Sequence, residues 1–465
     1  MKNKEQICDK TMKFEECELA ILRSAVDKAE ERMAKKNVNT PIVKQLIEIV
    51  ENFLSKKKLI CYGGTAINNI LPVHDQFYDL NVEIPDYDFF SPNPLEDAKE
   101  LADIYHKAGF EEVEAKAGVH YGTFKVFVNF IPVADITLLD KKIFNSIKKE
   151  AISISGILYS PPNFLRMLAY LELSRPAGDV SRWEKVMKRL SLLNTHYPMS
   201  SDKCNYSNYQ RTFDSNDKEF VNKLYDITKQ SFINQGVIFF GGFASFLYSQ
   251  YMNKNIRNKF TEQPDFDVLS ENAHKTCIIL KERLNDADVN NVSIIKRPSM
   301  GEIIATHYEV RVGKDTIAFV YEPLSCHSYN VIKIGKNKIK VATIDTMLSF
   351  YLAFIYANRP YYDSNRILCM STFLFYVQQK NRLKQKGLLR RFSISCMGKQ
   401  HSLEDIRGEK ANKFKELSSN RKSNEYEMWF LKYRPEEKNI TKKNKKSKNT
   451  IKNKVSSNKT TRKKK

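Results

Sequence analysis

Three aspartates carry the chemistry this sequence is equipped for. Asp86 and Asp88 stand one residue apart in Pro85-Asp86-Tyr87-Asp88-Phe89-Phe90-Ser91, and Asp135 sits inside the apolar run Pro132-Val133-Ala134-Asp135-Ile136-Thr137. Alternate residues of a strand point to one face, so Asp86 and Asp88 share a side. A third acid from a neighbouring strand completes a cluster. An acid in so apolar a run is costly to desolvate unless it is paired or metal-bound. Three carboxylates suit a pair of hard divalent cations, Mg²⁺ or Mn²⁺ rather than zinc. They also suit the in-line transfer of a phosphoryl or nucleotidyl group. Gly63-Gly64-Thr65 precede them. The glycines let the backbone approach phosphates, the helix start behind them favours anions, and the Thr65 hydroxyl offers a further hydrogen bond.

The elements that must position these groups follow from periodicity and punctuation. Apolar residues at helical spacing (Leu19, Leu22, Ala25, Ala29, Met33) predict a helix over 15–36, and Thr40-Pro41 caps a second one running to about 54. A strand over 59–62 leads into Gly63-Gly64 and a short helix over 65–71. A strand over 87–90, a helix over 94–107 and strands over 121–128 and 130–138 complete a first unit. Pro161-Pro162 opens a helical connection that turns at Gly178-Asp179 and resumes over 180–193. The polar, tyrosine-rich stretch 197–217 reads as a linker.

The pattern then returns. Val237-Ile238-Phe239-Phe240-Gly241-Gly242 repeats the strand and glycine pair, and Pro264-Asp265-Phe266-Asp267-Val268-Leu269-Ser270 repeats Pro85 to Ser91. The second glycine and first aspartate are 22 residues apart in the first copy and 23 in the second. Repetition at this spacing implies two copies of one supersecondary unit. Aligned without a gap, residues 124–135 fall on residues 308–319, and Asp135 falls on Phe319. The second copy lacks the third carboxylate. A hairpin over 330–342 and helices over 344–358 and 363–382 follow, after which the chain turns polar. The expected divisions are a helical region 1–58, a catalytic unit with helical extension 59–196, a second and inactive unit 197–383, and a polar extension 384–465.

Charge and cysteine usage narrow the partners and the compartment. The 465 residues carry a formal +22, to which residues 438–465 contribute thirteen Lys/Arg and no acid. An anionic partner is implied. The Lys-rich tail is expected to be disordered, and reads first as a nonspecific binder of a nucleic-acid backbone through counterion release, then as a nuclear-localisation-like or merely solubilising segment. The eight cysteines are spread singly, with no Cys-x-x-Cys and no histidine cluster. That pattern argues against zinc, against a disulfide framework, and for a reducing compartment. No signal peptide is evident, and the longest apolar stretch, 347–356, reads as a buried helix. Arg182, Lys185 and Arg189 share one helix face and read equally as a triphosphate clamp or a solvated surface. Tyr206, Tyr209 and Arg211 read first as loop residues and second as a base-stacking platform.

Together, Gly63-Gly64, Asp86-x-Asp88 and Asp135 resemble the polymerase-beta-like nucleotidyltransferase superfamily. Tyr62-Gly-Gly-Thr-Ala-Ile67, Pro85 to Pro92, Val133-Ala-Asp-Ile136, Leu173-Ser-Arg-Pro-Ala-Gly-Asp179 and Ser181-Arg-Trp-Glu-Lys185 resemble, more narrowly, the poly(A) polymerase catalytic subunits of large DNA viruses. The resemblance extends over about residues 45–380. It implies an α/β (α+β) chain with two tandem nucleotidyltransferase-like units, the second inactive. It implies template-independent addition of AMP from ATP to RNA 3′ ends, with two Mg²⁺ or Mn²⁺ ions held by Asp86, Asp88 and Asp135. Gly63, Gly64, Thr65, Arg182 and Lys185 would then face the nucleotide. The partners implied are RNA, ATP, and a second copy of the chain or a viral processivity subunit. The location implied is the host cytoplasm and its viral factory, with the virion as a second site. A CCA-adding type of nucleotidyltransferase and a non-catalytic RNA-binding subunit rank below: the first lacks its arginine-containing motif, and the second does not explain the complete triad.

Overall fold

The computed structural model describes residues 7–8, 11–38, 40–79, 85–199, 204, 217–260 and 264–435. The strands are β1 (Ile60–Cys61), β2 (Tyr87–Ser91), β3 (Val113–Ala117), β4 (Thr123–Val128), β5 (Ile131–Leu138), β6 (Ile152–Ile154), β7 (Ile157–Tyr159) and β8 (Ile238–Phe239). They continue as β9 (Phe266–Leu269), β10 (Val292–Arg297), β11 (His307–Val312), β12 (Asp315–Tyr321), β13 (His327–Ile334), β14 (Asn337–Ala342), β15 (Cys396–Met397) and β16 (Lys432–Tyr433). They build two eight-stranded sheets, ordered β16-β3-β4-β5-β2-β1-β7-β6 and β10-β11-β12-β9-β8-β14-β13-β15. The chain is an α+β fold with two sheets of equal size. By contact it divides into one unit of Met1–Leu138, Ser153–Leu158 and Lys413–Lys465 and another of Leu139–Ile152 and Tyr159–Asn412.

In the first unit the helices Pro41–Lys57 and Pro94–Lys107 pack against the β3–β4–β5 region of the sheet. Thr40 caps the former by accepting from the Val43 amide, as its sequence foretells. Leu46, Val50, Phe53, Leu101 and Tyr105 are buried in this core, as are Phe89, Phe124, Val126 and Ile136 of the sheet. Phe53 and Phe89 meet at 6.4 Å between ring centres. Strand alternation then turns Asp88, one residue before Phe89, to the other side of the sheet.

In the second unit the helices Lys218–Asn234 and Ala273–Asn285 pack together, the latter on β10–β12. Phe232, Phe239, Phe243 and Phe266 form one aromatic cluster. A second cluster gathers Phe240, His307, Phe319, Tyr321, Phe350, Phe354 and Tyr362. Helix Ile344–Tyr356, which supplies Phe350 and Phe354, is buried almost throughout, so the long apolar stretch is core. Among the described residues no helix is long and apolar enough to cross a membrane.

Two sequence expectations change. Residues 384–435 are polar, yet they fold back: β15 extends the second sheet and β16 the first, where the Ala117 amide donates to the Leu431 carbonyl. Trp429 and Leu431 are buried at that junction. The argument against disulfides is also overturned, because Cys8–Cys17, Cys204–Cys369 and Cys326–Cys396 are bonded, with Cα atoms 5.3, 5.5 and 5.1 Å apart. The last two pairs are 165 and 70 residues apart in sequence, so local spacing gave no sign of them. Cys61 and Cys277 are free and buried. Tyr206, Tyr209, Arg211 and the Lys-rich tail lie outside the described residues.

Candidate active site

The glycine pair and the aspartates are assembled by backbone pairing. β1 runs antiparallel to β2, with Ile60 opposite Phe90 and Cys61 opposite Phe89. The Tyr62 amide then donates to the Asp88 carbonyl at 2.9 Å, which sets the start of helix Gly63–Ile70 beside the aspartate. Gly63 has φ +72°, and a Cβ there would lie 2.9 Å from Asp88 Oδ2. Both the left-handed backbone and the close approach call for glycine. Thr65 is buried and its hydroxyl donates to the Asp86 carbonyl at 2.7 Å, so its proton fixes the residue that carries the first carboxylate.

β2 runs parallel to β5, and Asp88 is the direct register partner of Asp135. β4 flanks β5 on its other side, where Lys125 is opposite Asp135 and its ammonium is ion-paired with Asp135 Oδ2. The other carboxylate oxygen, Oδ1, is buried without a hydrogen-bond partner. The Asp86 carboxyl is held above its ordinary range by loss of water around it and by the Asp135 charge, while Lys125 pulls the other way. Tyr62 stacks on Phe90 at 3.9 Å and its hydroxyl meets Thr137 Oγ1 at 3.0 Å. Burial and the Asp88 charge push that phenol up.

A pocket of about 280 Å³ opens beside Asp86 and Asp88, lined also by Glu51, Thr65, Asn68, Asn69 and Tyr78. Asn68 is almost wholly buried, and its Oδ1 accepts from the amides of Phe77 and Tyr78 at 2.8 and 2.9 Å. It ties segment 77–78 to the glycine-led helix. Glu51 accepts from the Tyr87 hydroxyl at 2.5 Å on the same wall.

Among the described residues no three His, Cys, Asp or Glu side chains form a ready metal cage. The residues nonetheless fit a hard cation. The donors are all oxygen, and one carboxylate oxygen is buried and unpartnered while Lys125 holds the other. Lys125 went unnoticed in the sequence, although the gap-free alignment had set it against Glu309. Arg182 and Lys185 are placed in the second unit, both exposed. Arg182 Nε lies 3.3 Å from Glu172 Oε1.

The second copy repeats this construction closely. The Phe240 amide donates to the Asp267 carbonyl at 2.9 Å, and Ile238 and Phe239 pair with Leu269 and Val268. Both hairpins carry a register shift at the same aligned place, between Val126 and Phe127 and between Val310 and Arg311. β9 and β12 are parallel, with Asp267 opposite Phe319. Phe319 therefore occupies the station of Asp135. It is fully buried and stacks on Tyr361 at 5.0 Å, so aromatic packing fills a place where the first unit keeps an acid.

Residues 48–179 match the family model described as poly(A) polymerase catalytic subunit. A putative poly(A) polymerase catalytic subunit of African swine fever virus (strain Badajoz 1971 Vero-adapted) is 34% identical over 171 residues, 36% of each chain. A protein of the same description from Acanthamoeba polyphaga mimivirus is 35% identical over 161 residues, 33% of this chain and 26% of the relative. The chain thus spans about a quarter to a third of the length of these relatives. The crystal structure of the Megavirus polyadenylate synthase superposes with a TM-score of 0.75 at 22% identity, covering 94% of this chain and 89% of that one, which shows a shared fold. The matched segment holds Gly63, Gly64, Asp86, Asp88 and Asp135, and over residues 48–179 this chain is similar to poly(A) polymerase catalytic subunits.

Proposed function

We propose that this protein is a template-independent polynucleotide adenylyltransferase that adds AMP from ATP to RNA 3′ ends. The observation that carries the reading is the direct pairing of Asp88 with Asp135, whose Oδ1 is buried and unpartnered, behind a glycine-led helix start. The family match over residues 48–179 supports the substrates, RNA and ATP.

Asp86, Asp88 and Asp135 would hold two Mg²⁺ or Mn²⁺ ions. When bound, such ions lower the pKa of an attacking hydroxyl and neutralise a leaving pyrophosphate. The protein's own groups orient the partners. Gly63 keeps Asp88 against the helix start, Thr65 fixes Asp86, and Lys125 neutralises Asp135 until a cation or substrate replaces it. The pocket beside Asp86 and Asp88 lies within reach of a nucleotide or a primer end. The second unit, with Phe319 at the third station, serves structure or RNA binding. A second copy of the chain or a viral processivity subunit is the partner in this reading, and the viral factory its place of work.

The test is incorporation of each labelled nucleoside triphosphate on a single-stranded RNA primer, with Mg²⁺ or Mn²⁺. ATP is expected to extend the primer by many residues and the others poorly. Addition limited to a short CCA end would favour the CCA-adding alternative. No incorporation of any nucleotide would leave a non-catalytic RNA-binding subunit.

A further inference from the structure

The sheet face that bears carboxylates in the first unit is framed by arginines in the second. Glu309 is the register partner of Phe319, as Lys125 is of Asp135, so the charge at this station is reversed between the units. Glu309 is wholly buried. Its Oε2 accepts from Arg297 Nε at 3.0 Å and Nη2 at 2.5 Å. Its Oε1 accepts from Arg311 Nε at 2.6 Å and Thr316 Oγ1 at 2.5 Å. Neutralising one carboxylate takes one guanidinium, yet two are fixed here.

A third stands beside them. Arg359 is anchored by Nη2 to the Pro298 carbonyl at 2.8 Å, and its charge acts on His307 and Tyr361 together with that of Arg297. The Arg297 guanidinium lies 5.3 Å from the centre of the Tyr361 ring. His307, which bonds the Tyr361 hydroxyl through Nε2 at 2.9 Å, is buried and held neutral, so it adds no charge. Against Glu309 the cluster keeps an excess of two positive charges. All three arginines and Tyr361 are half-exposed. Glu309 uses two nitrogens of Arg297 and one of Arg311, and a guanidinium carries five donors in a fixed fork.

We propose that Arg297 and Arg359 beside Tyr361, with Arg311 on the other oxygen of Glu309, form a binding site for the phosphate backbone of single-stranded RNA. The proposal deepens the adenylyltransferase reading and rests on it for the identity of the polymer. Carboxylate-braced arginines present their outer donors without further ordering, which suits phosphate oxygens. The half-exposed Tyr361 ring, backed by Phe319, offers a stacking edge that tolerates any base. The second unit thus retains the nucleotidyltransferase-like scaffold and exchanges its third acid for anion-binding groups on the next strand.

The test measures binding of a 5′-labelled single-stranded RNA to the full chain by fluorescence anisotropy across a salt series. Each lost phosphate contact should make the slope of log K against log salt shallower by roughly 0.7. Arg359→Gln touches no acid and leaves no buried charge unpaired, so it reports on the site even if Arg311→Gln fails to fold. The expected result is weaker binding with a shallower slope for each variant, and a slope restored by Arg359→Lys. Unchanged affinity and slope in Arg359→Gln and Arg311→Gln overturn the proposal. Labelled ATP incorporation on the same RNA keeps the two readings apart. A wild-type chain that extends the primer while the variants bind normally sinks this site alone. A wild-type chain that binds RNA through these arginines yet incorporates nothing sinks the adenylyltransferase reading instead.

Discussion

Lys125 is the charged partner of Asp135. The two are opposite on neighbouring strands, and the ammonium holds one carboxylate oxygen while the other is buried without a partner. Lys125→Met removes the competing cation, so the affinity for Mg²⁺ should rise. Calorimetric titration of the full chain checks this, and an affinity unchanged or lowered would place the lysine outside the metal site. Gly63→Ala forces an L side chain into φ +72° with its Cβ 2.9 Å from Asp88 Oδ2. A loss of at least about 1 kcal/mol in urea unfolding is expected from the backbone alone, together with reduced Mg²⁺ affinity as Asp88 is displaced. Full stability in that variant would show that the glycine is not needed for its conformation. The aspartates were legible in sequence because an acid inside an apolar strand is too costly to desolvate without a counter-charge or a metal. Lys125 was not, because a lysine alternating with Phe124 and Val126 reads as a solvent-facing strand residue until the register is known.

At the scale of elements, the second unit buries two neutral histidines. Burial pushes His307 down to about 4 and His327 to about 3. His307 has partners at both ring nitrogens, Ala305 and Tyr361, whereas both nitrogens of His327 lack one. An unfolded histidine takes up its proton near 6.5. As pH falls below that value the unfolded chain binds protons that the folded chain refuses, so stability declines from pH 6.5 toward about 4 and is unaffected by these groups above neutrality. His327→Phe should flatten the decline, measured as urea midpoints at pH 7 and pH 5, and should not destabilise at pH 7. An identical pH profile would mean that His327 titrates normally in the fold. Most elements were readable from periodicity and caps, including both glycine-led helices and the β13–β14 hairpin. β3 and helix Lys141–Lys149 were not, because Val113–Ala117 is half charged and the helix has few apolar positions. The role of residues 396–397 and 432–433 was hidden too: an edge strand is specified by its neighbour's backbone, not by its own side chains.

At the scale of the whole molecule, one strand order has been used twice. β3-β4-β5-β2-β1-β7-β6 and β10-β11-β12-β9-β8-β14-β13 correspond strand for strand, and each sheet is completed by one strand from the chain's C-terminal part. The repeat itself was visible in sequence through the spacing of glycines and aspartates. The long-range cysteine pairs were not, because only the folded chain brings residue 204 to 369 and 326 to 396. Phe319 stands where the first unit has Asp135, while Asp265 and Asp267 hold the stations of Asp86 and Asp88. The sharpest test compares the two units by the same change at equivalent stations. Labelled ATP incorporation on an RNA primer should be measured for Asp88→Asn and Asp267→Asn, with unfolding midpoints to confirm that both fold. Asp88→Asn should lose activity by about a hundredfold or more, and Asp267→Asn should stay within a few-fold of the unchanged chain. Equal losses in the two variants, or an active Asp88→Asn, would contradict the assignment of the chemistry to the first unit.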